Sequence, residues 1–338
     1  MVFSKKYRWV LGLLAVALSV MLVAGCGGGG KSADTAKKAI DYPKKPIEII
    51  VPYSAGGGQD VMSRITAKYL EKYLPNNTKV VVTNVPAGGG VQGATTIANM
   101  KPDGYQVGAL VPFQFTDQFI MKGITYNEKS FVPVALLSDD ANFIVVRKDL
   151  GVKNMKEFID LAKSKPEQIT MGMGGNWNVH DFLRLKVEKA TGAKFKRMPF
   201  NGGAPALAAV AGGNCDSASQ SISEALAAME AGHVVAIAVT SAERSPLAPN
   251  VPTLKEQGID VVHAQWRGIV VTPGTPEEVI KILSDALKKV YDDKGWQEEA
   301  KKAGLAPKFM DYKQFGEFYK KDFEVYKSLI NELGIKPQ

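Results

Sequence analysis

Three glycine-rich turns in this chain combine residue types suited to holding small anions. They cover residues 51–60, 85–93 and 198–205, and each leads from an apolar run into a segment with helical periodicity. Glycine lets the backbone approach a ligand closely, and the first turn of a helix carries N–H groups without partners inside the helix. A strand, a glycine turn and a helix in succession therefore predict an anion site built from backbone donors at the positive end of the helix.

A fourth glycine-rich turn, at residues 172–180, adds side chains that form hydrogen bonds and an aromatic ring. Asn178 is suited to cap the helix that should follow, which places His180 in the first helical turn. The positive end of a helix disfavours protonation of an imidazole, so His180 is expected to be neutral and to form hydrogen bonds. A purely structural role for His180 is the alternative.

Arg267 is a candidate for direct contact with an anionic ligand. Its guanidinium could form a bidentate pair with a carboxylate. A salt bridge between two lobes, or a surface position, is the alternative. The adjacent acids Asp139 and Asp140 are expected to be solvated.

The sequence contains little that matches the known motifs of enzymes. Gly88, Gly90 and Gly93 match a dinucleotide-binding fingerprint, but no acidic residue follows a second strand about 20 residues on. The turn at 51–60 lacks the Gly-Lys-Ser/Thr ending of a phosphate-binding loop, and no Gly-x-Ser-x-Gly elbow occurs. The histidines are far apart and show no metal-ligand spacing: His180, His233 and His263. We expect no catalytic residues, no metal and no cofactor.

The beginning of the chain predicts export and a lipid anchor. Basic residues at positions 5–8 precede an uncharged apolar run over 9–24, which is too short for a membrane span and indicates a signal peptide over residues 1–25. Residues 22–26 resemble a bacterial lipobox, which predicts lipidation of Cys26. An ordinary signal peptide with an incidental cysteine is the alternative. Residues 26–41 read as a flexible tether, and Cys215 has no partner for an intramolecular disulfide.

Charge and pattern define the class of the remaining body. The formal net charge is +8, but the signal peptide and tether region carry most of it, and about +2 is left for the body. This gives no argument for binding nucleic acid.

Apolar strand patterns alternate with helix patterns, which predicts an α/β fold with largely parallel sheets, and the length predicts two lobes. Residues 133–138 and 143–147 are predicted as separate strands, and Asp60 as the cap of the first helix.

Many ordered blocks of the sequence resemble one family, the extracytoplasmic solute-binding proteins of the tripartite tricarboxylate transporter, also called Bug or TctC receptors. The likeness runs from about residue 42 to residue 333. The blocks include Tyr42-Pro43-x-x-Pro46-Ile47, Val51-Pro52-Tyr53-x-Ala55-Gly56-Gly57-x-x-Asp60, Pro86-Ala87-Gly88-Gly89, Pro102-Asp103-Gly104-Tyr105, Phe200-x-Gly202-Gly203-Ala204-Pro205 and Pro273-Gly274-Thr275-Pro276.

The resemblance implies a fold like that of type II periplasmic binding proteins, with two α/β lobes closing on a carboxylated metabolite. The expected lobes are residues 42–142 plus 262–338, and residues 143–261, with hinges near 140–147 and 258–266. The expected partners are a small organic carboxylate, a membrane permease and, through the lipid anchor, the outer face of the cell membrane. The protein is expected to be monomeric.

The resemblance also assigns ligand-binding positions, mostly to backbone donors at the strand-to-helix turns. One departure concerns Trp177, because that turn is usually rich in Ser and Gly in the family. The expected positions are Tyr53, Ser54, Gly56, Gly57, Gly58, Asp60, Ala87, Gly88, Gly89, Gly90, Phe113, Gly174, Gly175, Asn176, Trp177, Asn178, His180, Asn201, Gly202, Gly203, Gln220, Trp266 and Arg267. Two other functions stay open: a co-receptor that presents its ligand to a sensor kinase, and an exported enzyme acting on a carboxylate or phosphate ester.

Overall fold

The computed structural model describes residues 40–174, 177–200 and 203–337, with the side chain of Ser223 left out. The chain from Asp41 onward forms one compact unit. The expected signal peptide, Cys26 and nearly all of the expected tether lie outside the described residues, as do four expected ligand-binding residues: Gly175, Asn176, Asn201 and Gly202. Within the described ranges, no helix is both long and apolar enough to cross a membrane.

Strands and helices alternate along the chain, as the pattern predicts. The strands are β1 (Ile47–Val51), β2 (Val80–Asn84), β3 (Gln106–Leu110), β4 (Val132–Arg147), β5 (Thr170–Met173), β6 (Lys196–Pro199), β7 (Ser217–Ser221), β8 (Val234–Val239), β9 (Ala264–Val271) and β10 (Pro307–Met310). The helices are α1 (Gly58–Tyr73), α2 (Val91–Ala98), α3 (Phe113–Ile120), α4 (Met155–Ser164), α5 (Val179–Thr191), α6 (Gly203–Ala211), α7 (Ile222–Glu230), α8 (Glu277–Asp292), α9 (Lys294–Lys302) and α10 (Tyr312–Glu332).

Two sets of parallel strands are joined by antiparallel strands into one sheet of order β2-β1-β3-β9-β4-β7-β5-β6. The first strand set is β1, β2 and β3, and the second strand set is β5, β6 and β7. Strand β9 runs antiparallel to both β3 and β4, and β4 runs antiparallel to β7. Strands β8 and β10 also pair with β4. The prediction of an α/β fold is confirmed. The prediction of largely parallel sheets was wrong, because β4 and β9 run antiparallel to their neighbours, so the described sheet has four parallel and five antiparallel strand pairs.

Strand β4 is the longest strand and connects the two sets. Its residues 132–141 pair with β9, its residues 142–146 pair with β7, and its residues 143–147 pair with β8. The prediction of two strands, 133–138 and 143–147, was therefore wrong. Polar residues between 138 and 142 interrupt the apolar pattern of the sequence. In the fold, groups from other elements form hydrogen bonds or ion pairs with most of these residues, so the strand continues without a break. Asp140 is buried rather than solvated, and Asp139 is half-buried against Lys308.

Apolar side chains fill the space between the sheet and the helices on both faces. One cluster joins β1 and β3 to α1 and α8, and another surrounds Phe115, Trp266 and Phe315 beneath α10. Two further clusters lie on the faces of the second strand set. Helix α5 also packs on α10, where the Phe182 and Tyr326 rings meet edge to face at 4.8 Å. Buried aromatic pairs of this kind contribute about 0.5–1.5 kcal/mol beyond their area.

Gly93 allows α2 to lie directly on the β1–α1 connection. A Cβ at this position would stand 2.4 Å from the Pro52 Cα and 2.7 Å from the Val85 carbonyl oxygen. Both are backbone atoms, so the clash cannot be relieved by moving a flexible side chain. The two glycine turns that precede α1 and α2 are thus held against each other by this contact.

We expect Gly93→Ala to lower the free energy of unfolding by about 1–3 kcal/mol, the usual cost of overpacking. Gly316→Ala is the matched control, because Gly316 also lies in a helix and its Cβ would meet nothing within 4 Å. That change should be neutral or stabilising by up to about 1 kcal/mol through helix propensity. Urea denaturation measures both values. Equal stability of the two variants would contradict the tight contact.

Candidate functional site

The carboxyl ends of the two strand sets approach the same stretch of β4. Leu110, the last residue of β3, pairs with Gly268 of β9, whose neighbour Arg267 pairs with Ser138. Ser221, the last residue of β7, pairs with Asn142. Ser138 and Asn142 lie four residue steps apart on β4, a span of about 13 Å. Ligands of open α/β sheets bind outside the carboxyl ends of the strands, so this junction is the candidate site.

The first glycine turn leaves the beginning of α1 without a side-chain cap. Gly57 is the N-cap residue in an extended conformation, and no side chain accepts a hydrogen bond from the first turn of the helix. Gly56 has a left-handed backbone, and residues 54–58 are exposed. The prediction that Asp60 caps α1 was wrong, because Asp60 is the third residue of the helix and its carboxylate points back to the turn. The backbone donors at this helix end remain accessible to a ligand.

Asp60 holds the first turn in shape. Its carboxylate accepts hydrogen bonds from the Gly56 amide at 2.8 Å, from Arg64 at 3.0 Å and from the side-chain amide of Asn84 at 2.9 Å. The same Asn84 amide donates to the Tyr53 carbonyl. Burial alone raises the pKa of Asp60, but these hydrogen bonds outweigh it and lower the pKa below its usual value. Asp60 is therefore a positioning residue for the turn.

The second glycine turn consists of consecutive left-handed residues. Gly88, Gly89 and Gly90 have φ values of 65°, 67° and 105°, a conformation that residues with side chains rarely adopt. The turn leads into α2, which also lacks a side-chain cap. Ala87, Gly88 and Gly89 are exposed, whereas Gly90 is buried. The first amide of α2, that of Val91, donates to the Ala87 and Gly88 carbonyl oxygens, so this helix offers fewer open backbone donors than α1.

Contacts of Tyr53 with Phe113 and Gln114 join these two turns to the end of β3. The Tyr53 ring packs edge to face on Phe113 at 5.6 Å, and the Gln114 side-chain amide donates to the Tyr53 hydroxyl. A Cβ on Gly90 would stand 3.0 Å from Tyr53 and 3.2 Å from Gln114. The structure therefore brings together the expected residues of all three connections in the first strand set. Helix α3 and Gln114 were not anticipated, although Phe115 and Phe119 are spaced four apart, as on one face of a helix.

On the second strand set, Asn178 caps α5 as predicted. Its side chain accepts from the His180 and Asp181 amides at 3.1 and 3.3 Å. Nδ1 of His180 lies 2.9 Å from the Ser219 hydroxyl. Burial lowers the pKa of His180 to about 4, against the opposing charge of Asp181. His180 is therefore neutral at pH 7, as predicted, and its hydrogen-bond partner is the residue just before Gln220 on β7.

Trp177 is half-buried with a left-handed backbone, at a φ of 51°. Its ring packs against the aromatic cluster beneath α10, and the Arg197 guanidinium carbon lies 5.0 Å from the ring centroid. At the neighbouring connection, Gly203 begins α6 and its carbonyl oxygen accepts from Nε2 of Gln220 at 3.1 Å. Gly174 is half-buried at the end of β5.

Arg267 is held by protein groups on two sides. Its Nε donates to Asp140 at 2.5 Å and its Nη1 to Oε1 of Gln59 at 3.3 Å. Its Nη2 stands 2.8 Å from the position that a Cβ on Gly58 would occupy, so the guanidinium lies against the beginning of α1. The adjacent Trp266 is fully buried in the aromatic cluster, and its indole N–H donates to Asp322 at 2.7 Å. Trp266 thus supports the core behind the junction.

Buried polar atoms without hydrogen-bond partners collect at this junction. Within the described part of the chain they are Nε2 of Gln59, Nδ2 of Asn142 and Oε1 of Gln220. Gln59 lies in the first turn of α1, Asn142 on β4, and Gln220 near the end of β7. An unpaired buried polar group costs about 1–3 kcal/mol, so three such atoms indicate a place where bound molecules complete the hydrogen bonding. Gln59 and Asn142 were missed from sequence because neither stands out until the sheet is assembled.

We expect Asp60→Ala to lower the free energy of unfolding by about 1.5–3 kcal/mol, because it removes the acceptor shared by Gly56, Arg64 and Asn84. The contribution is present above the unfolded pKa of about 4 and is lost as the pH falls through the lower folded value. Urea denaturation at pH 7 and at pH 3 measures it.

Asp285→Ala is the matched control for this change. Asp285 also lies in a helix with a basic partner four residues away, but its pair with Lys281 is exposed. Its loss should cost less than about 0.5 kcal/mol. An Asp60→Ala variant as stable as Asp285→Ala would contradict the positioning role.

Comparison with known proteins places this geometry in a family. The sequence profile of the "Tripartite tricarboxylate transporter family receptor" matches residues 62–335. The chain is 27% identical over 329 residues to the protein BugT of Bordetella pertussis, covering 96% of this chain and 98% of BugT. It is 34% identical to the crystal structure of a TctC solute-binding protein from Polaromonas, with a TM-score of 0.74 over 86% of this chain and 99% of that one. It shares its fold with an R. palustris protein solved with adipate, at 22% identity and a TM-score of 0.78 over 88% of this chain and all of that one.

The profile spans about four-fifths of the chain and includes α1 from Met62 on, the second glycine turn and the whole second strand set. We conclude that the chain belongs to the tripartite tricarboxylate transporter receptor family and is a solute-binding protein with a fold like that of type II periplasmic binding proteins.

Proposed function

We propose that this protein captures a small organic carboxylate, such as a di- or tricarboxylate, at the β4 junction and delivers it to a membrane permease. The observation that carries the proposal is the set of uncapped backbone donors at the beginnings of α1 and α2, at the same sheet edge as the three unpartnered buried side-chain atoms. Carboxylates suit such donors because each oxygen accepts more than one hydrogen bond. Membership in a family of transporter receptors supports delivery to a permease.

The expected affinity follows from the number of donors. Hydrogen bonds to a charged group contribute about 1.5–3 kcal/mol net each. Four to six of them, less the cost of ordering the ligand and closing the protein, correspond to micromolar binding at about −8 kcal/mol. The remaining expected positions, including Ser54, Gly174 and Arg267, belong to this proposal. The Arg267 guanidinium already pairs with Asp140, so it would contact the ligand only by binding Asp140 and the ligand at the same time.

Capture would involve closure of two lobes, residues 42–142 plus 262–338 against residues 143–261. Strand β4 changes its pairing partners at residues 141–143, which supports a hinge near 140–147, and the second hinge is proposed near 258–266. A ligand that contacts both strand sets binds the closed form more tightly and so shifts the population towards it. The permease would recognise the closed form.

The proposal includes a lipid anchor at Cys26, supported by the lipobox-like residues 22–26 and the preceding apolar run. We expect the Cys26→Ser variant to be recovered in the soluble fraction of the cell envelope, whereas the unaltered protein sediments with the membrane. Cys215→Ser is the control, because Cys215 is buried in the body and its loss should not change fractionation. Membrane recovery of Cys26→Ser would contradict the anchor.

A thermal-shift screen of the purified full-length protein tests capture. The panel contains citrate, malate, adipate, glutamate and benzoate, with phosphate and sulfate as inorganic controls. A ligand that binds the native state alone stabilises it by about 2.7 kcal/mol at a hundredfold excess over Kd. We expect at least one carboxylate to raise the melting temperature and neither inorganic ion to do so. No shift with any carboxylate would contradict capture, and unimpaired uptake of the identified carboxylate in a deletion strain would contradict delivery.

Substitution of Gly57 tests whether backbone donors hold the ligand. A Cβ there meets only the Ser54 carbonyl oxygen, at 3.6 Å, and the backbone is extended, so side chains fit without strain. We expect Gly57→Ala and Gly57→Val to keep the urea midpoint within about 0.5 kcal/mol of the original and to weaken binding progressively, by tenfold or more for Val. Unchanged affinity of Gly57→Val would contradict the backbone-donor site.

A further inference from the structure

Two side-chain oxygens converge on the beginning of α6. A Cβ built on Gly203 would lie 2.7 Å from Oε2 of Glu224 and 3.1 Å from Oε1 of Gln220. Gln220 is the fourth residue of β7, and Glu224 lies in the first turn of α7. The connection from β7 to α7 therefore brings a carboxylate oxygen and an amide oxygen next to Gly203, the first residue of α6. The lack of a Cβ at Gly203 leaves room for these two oxygens.

Neither oxygen has a partner in the described part of the chain. Oε1 of Gln220 is fully buried and accepts no hydrogen bond, although Nε2 of the same amide donates to the Gly203 carbonyl. The Glu224 side chain is exposed, and no hydrogen bond or ion pair with a described residue engages its carboxylate. The buried oxygen of Gln220 and the carboxylate of Glu224 thus lie side by side as hydrogen-bond acceptors, and no described residue supplies a hydrogen-bond donor to them.

The carboxylate of Glu224 determines which ligand groups can bind at the beginning of α6. The beginning of α6 is the place on the second strand set where an anionic ligand group would otherwise meet the positive end of a helix. With Glu224 there, a second ligand carboxylate would meet a like charge. An ammonium or hydroxyl group would instead supply the missing donor, and a donor to a carboxylate forms a charge-assisted bond.

We propose that Gln220 and Glu224 select a ligand that carries a hydrogen-bond donor, an ammonium or a hydroxyl group, in addition to the carboxylate held by the first strand set. This rests on the proposed capture of a carboxylate and narrows it to amino- and hydroxycarboxylates. The anion is held by backbone donors on one side of the junction, and its donor group by side-chain acceptors on the other.

Three four-carbon acids that differ in a single substituent test the proposal: succinate, malate and aspartate. Calorimetric titration of the full-length protein measures their affinities, and glutarate, 2-hydroxyglutarate and glutamate repeat the comparison with one more carbon. We expect malate or aspartate, or the corresponding five-carbon acid, to bind at least tenfold more tightly than the unsubstituted acid. A larger gain for the amino acid identifies ammonium as the donor, and a larger gain for the hydroxy acid identifies hydroxyl.

Two variants test the residues themselves. Glu224→Gln removes the charge while keeping the shape, so it should weaken the amino acid about tenfold or more and leave the unsubstituted acid equal or tighter. Gln220→Met removes the buried acceptor, so it should weaken both substituted acids. Glu230→Gln is the control, because it makes the same change at an exposed position on the same helix. Urea midpoints of all three variants show whether a loss of binding reflects unfolding.

The outcomes separate this inference from the function on which it rests. Equal affinities within each series, or an unchanged ranking in both Glu224→Gln and Gln220→Met, would overturn the selection of a donor. Tight binding of adipate together with no binding of the substituted acids would overturn it as well. Failure to bind any carboxylate of either panel, by the unaltered protein and by Glu224→Gln, would count against carboxylate capture itself.

Discussion

The polar segment in the middle of β4, residues 138–142, is the constraint on which the arrangement of the site depends. It runs through the interior, where an unpaired charge is costly. Asp140 is satisfied by Arg267 of β9 at 2.5 Å and by the Ala306 amide before β10 at 2.7 Å. These partners keep β4 continuous across the junction. Since the carboxyl ends of both strand sets are registered on β4, this strand sets the distance between them.

The two sides of the junction offer different chemistry. On the first strand set, the backbone supplies donors, and their geometry is fixed by Asp60, by left-handed glycines and by the aromatic contact between Tyr53 and Phe113. On the second strand set, the hydrogen-bonding groups at the junction are side chains, including the neutral His180 and the buried acceptor Gln220. Backbone donors suit any carboxylate, so discrimination among carboxylates falls to the side chains opposite them.

The unpartnered atoms of Gln59, Asn142 and Gln220 have an energetic consequence as well. Each reduces the stability of the unliganded protein by leaving a buried hydrogen-bonding group unused. Polar groups of this kind are retained where a bound molecule restores the missing bonds, and the loss of folding stability then appears as binding energy. The tight contact of Gly93 with the β1–α1 connection and the aromatic packing beneath α10 keep the surrounding scaffold rigid.

The sequence by itself determined the α/β alternation, the glycine turns before α1 and α2, the Asn178 cap and the family, because these follow from local periodicity, backbone freedom and ordered motifs. It was wrong about Asp60, about the break in β4 and about largely parallel sheets, and it missed α3, β7, α7 and β10. For Asp60 and Asp140 the deciding partner lies far away in sequence, Asn84 for Asp60 and Arg267 for Asp140. Only the tertiary structure decided that Gln59, Asn142 and Gln220 share one junction, because strand pairing brings them to one edge of the sheet across more than 150 residues of chain.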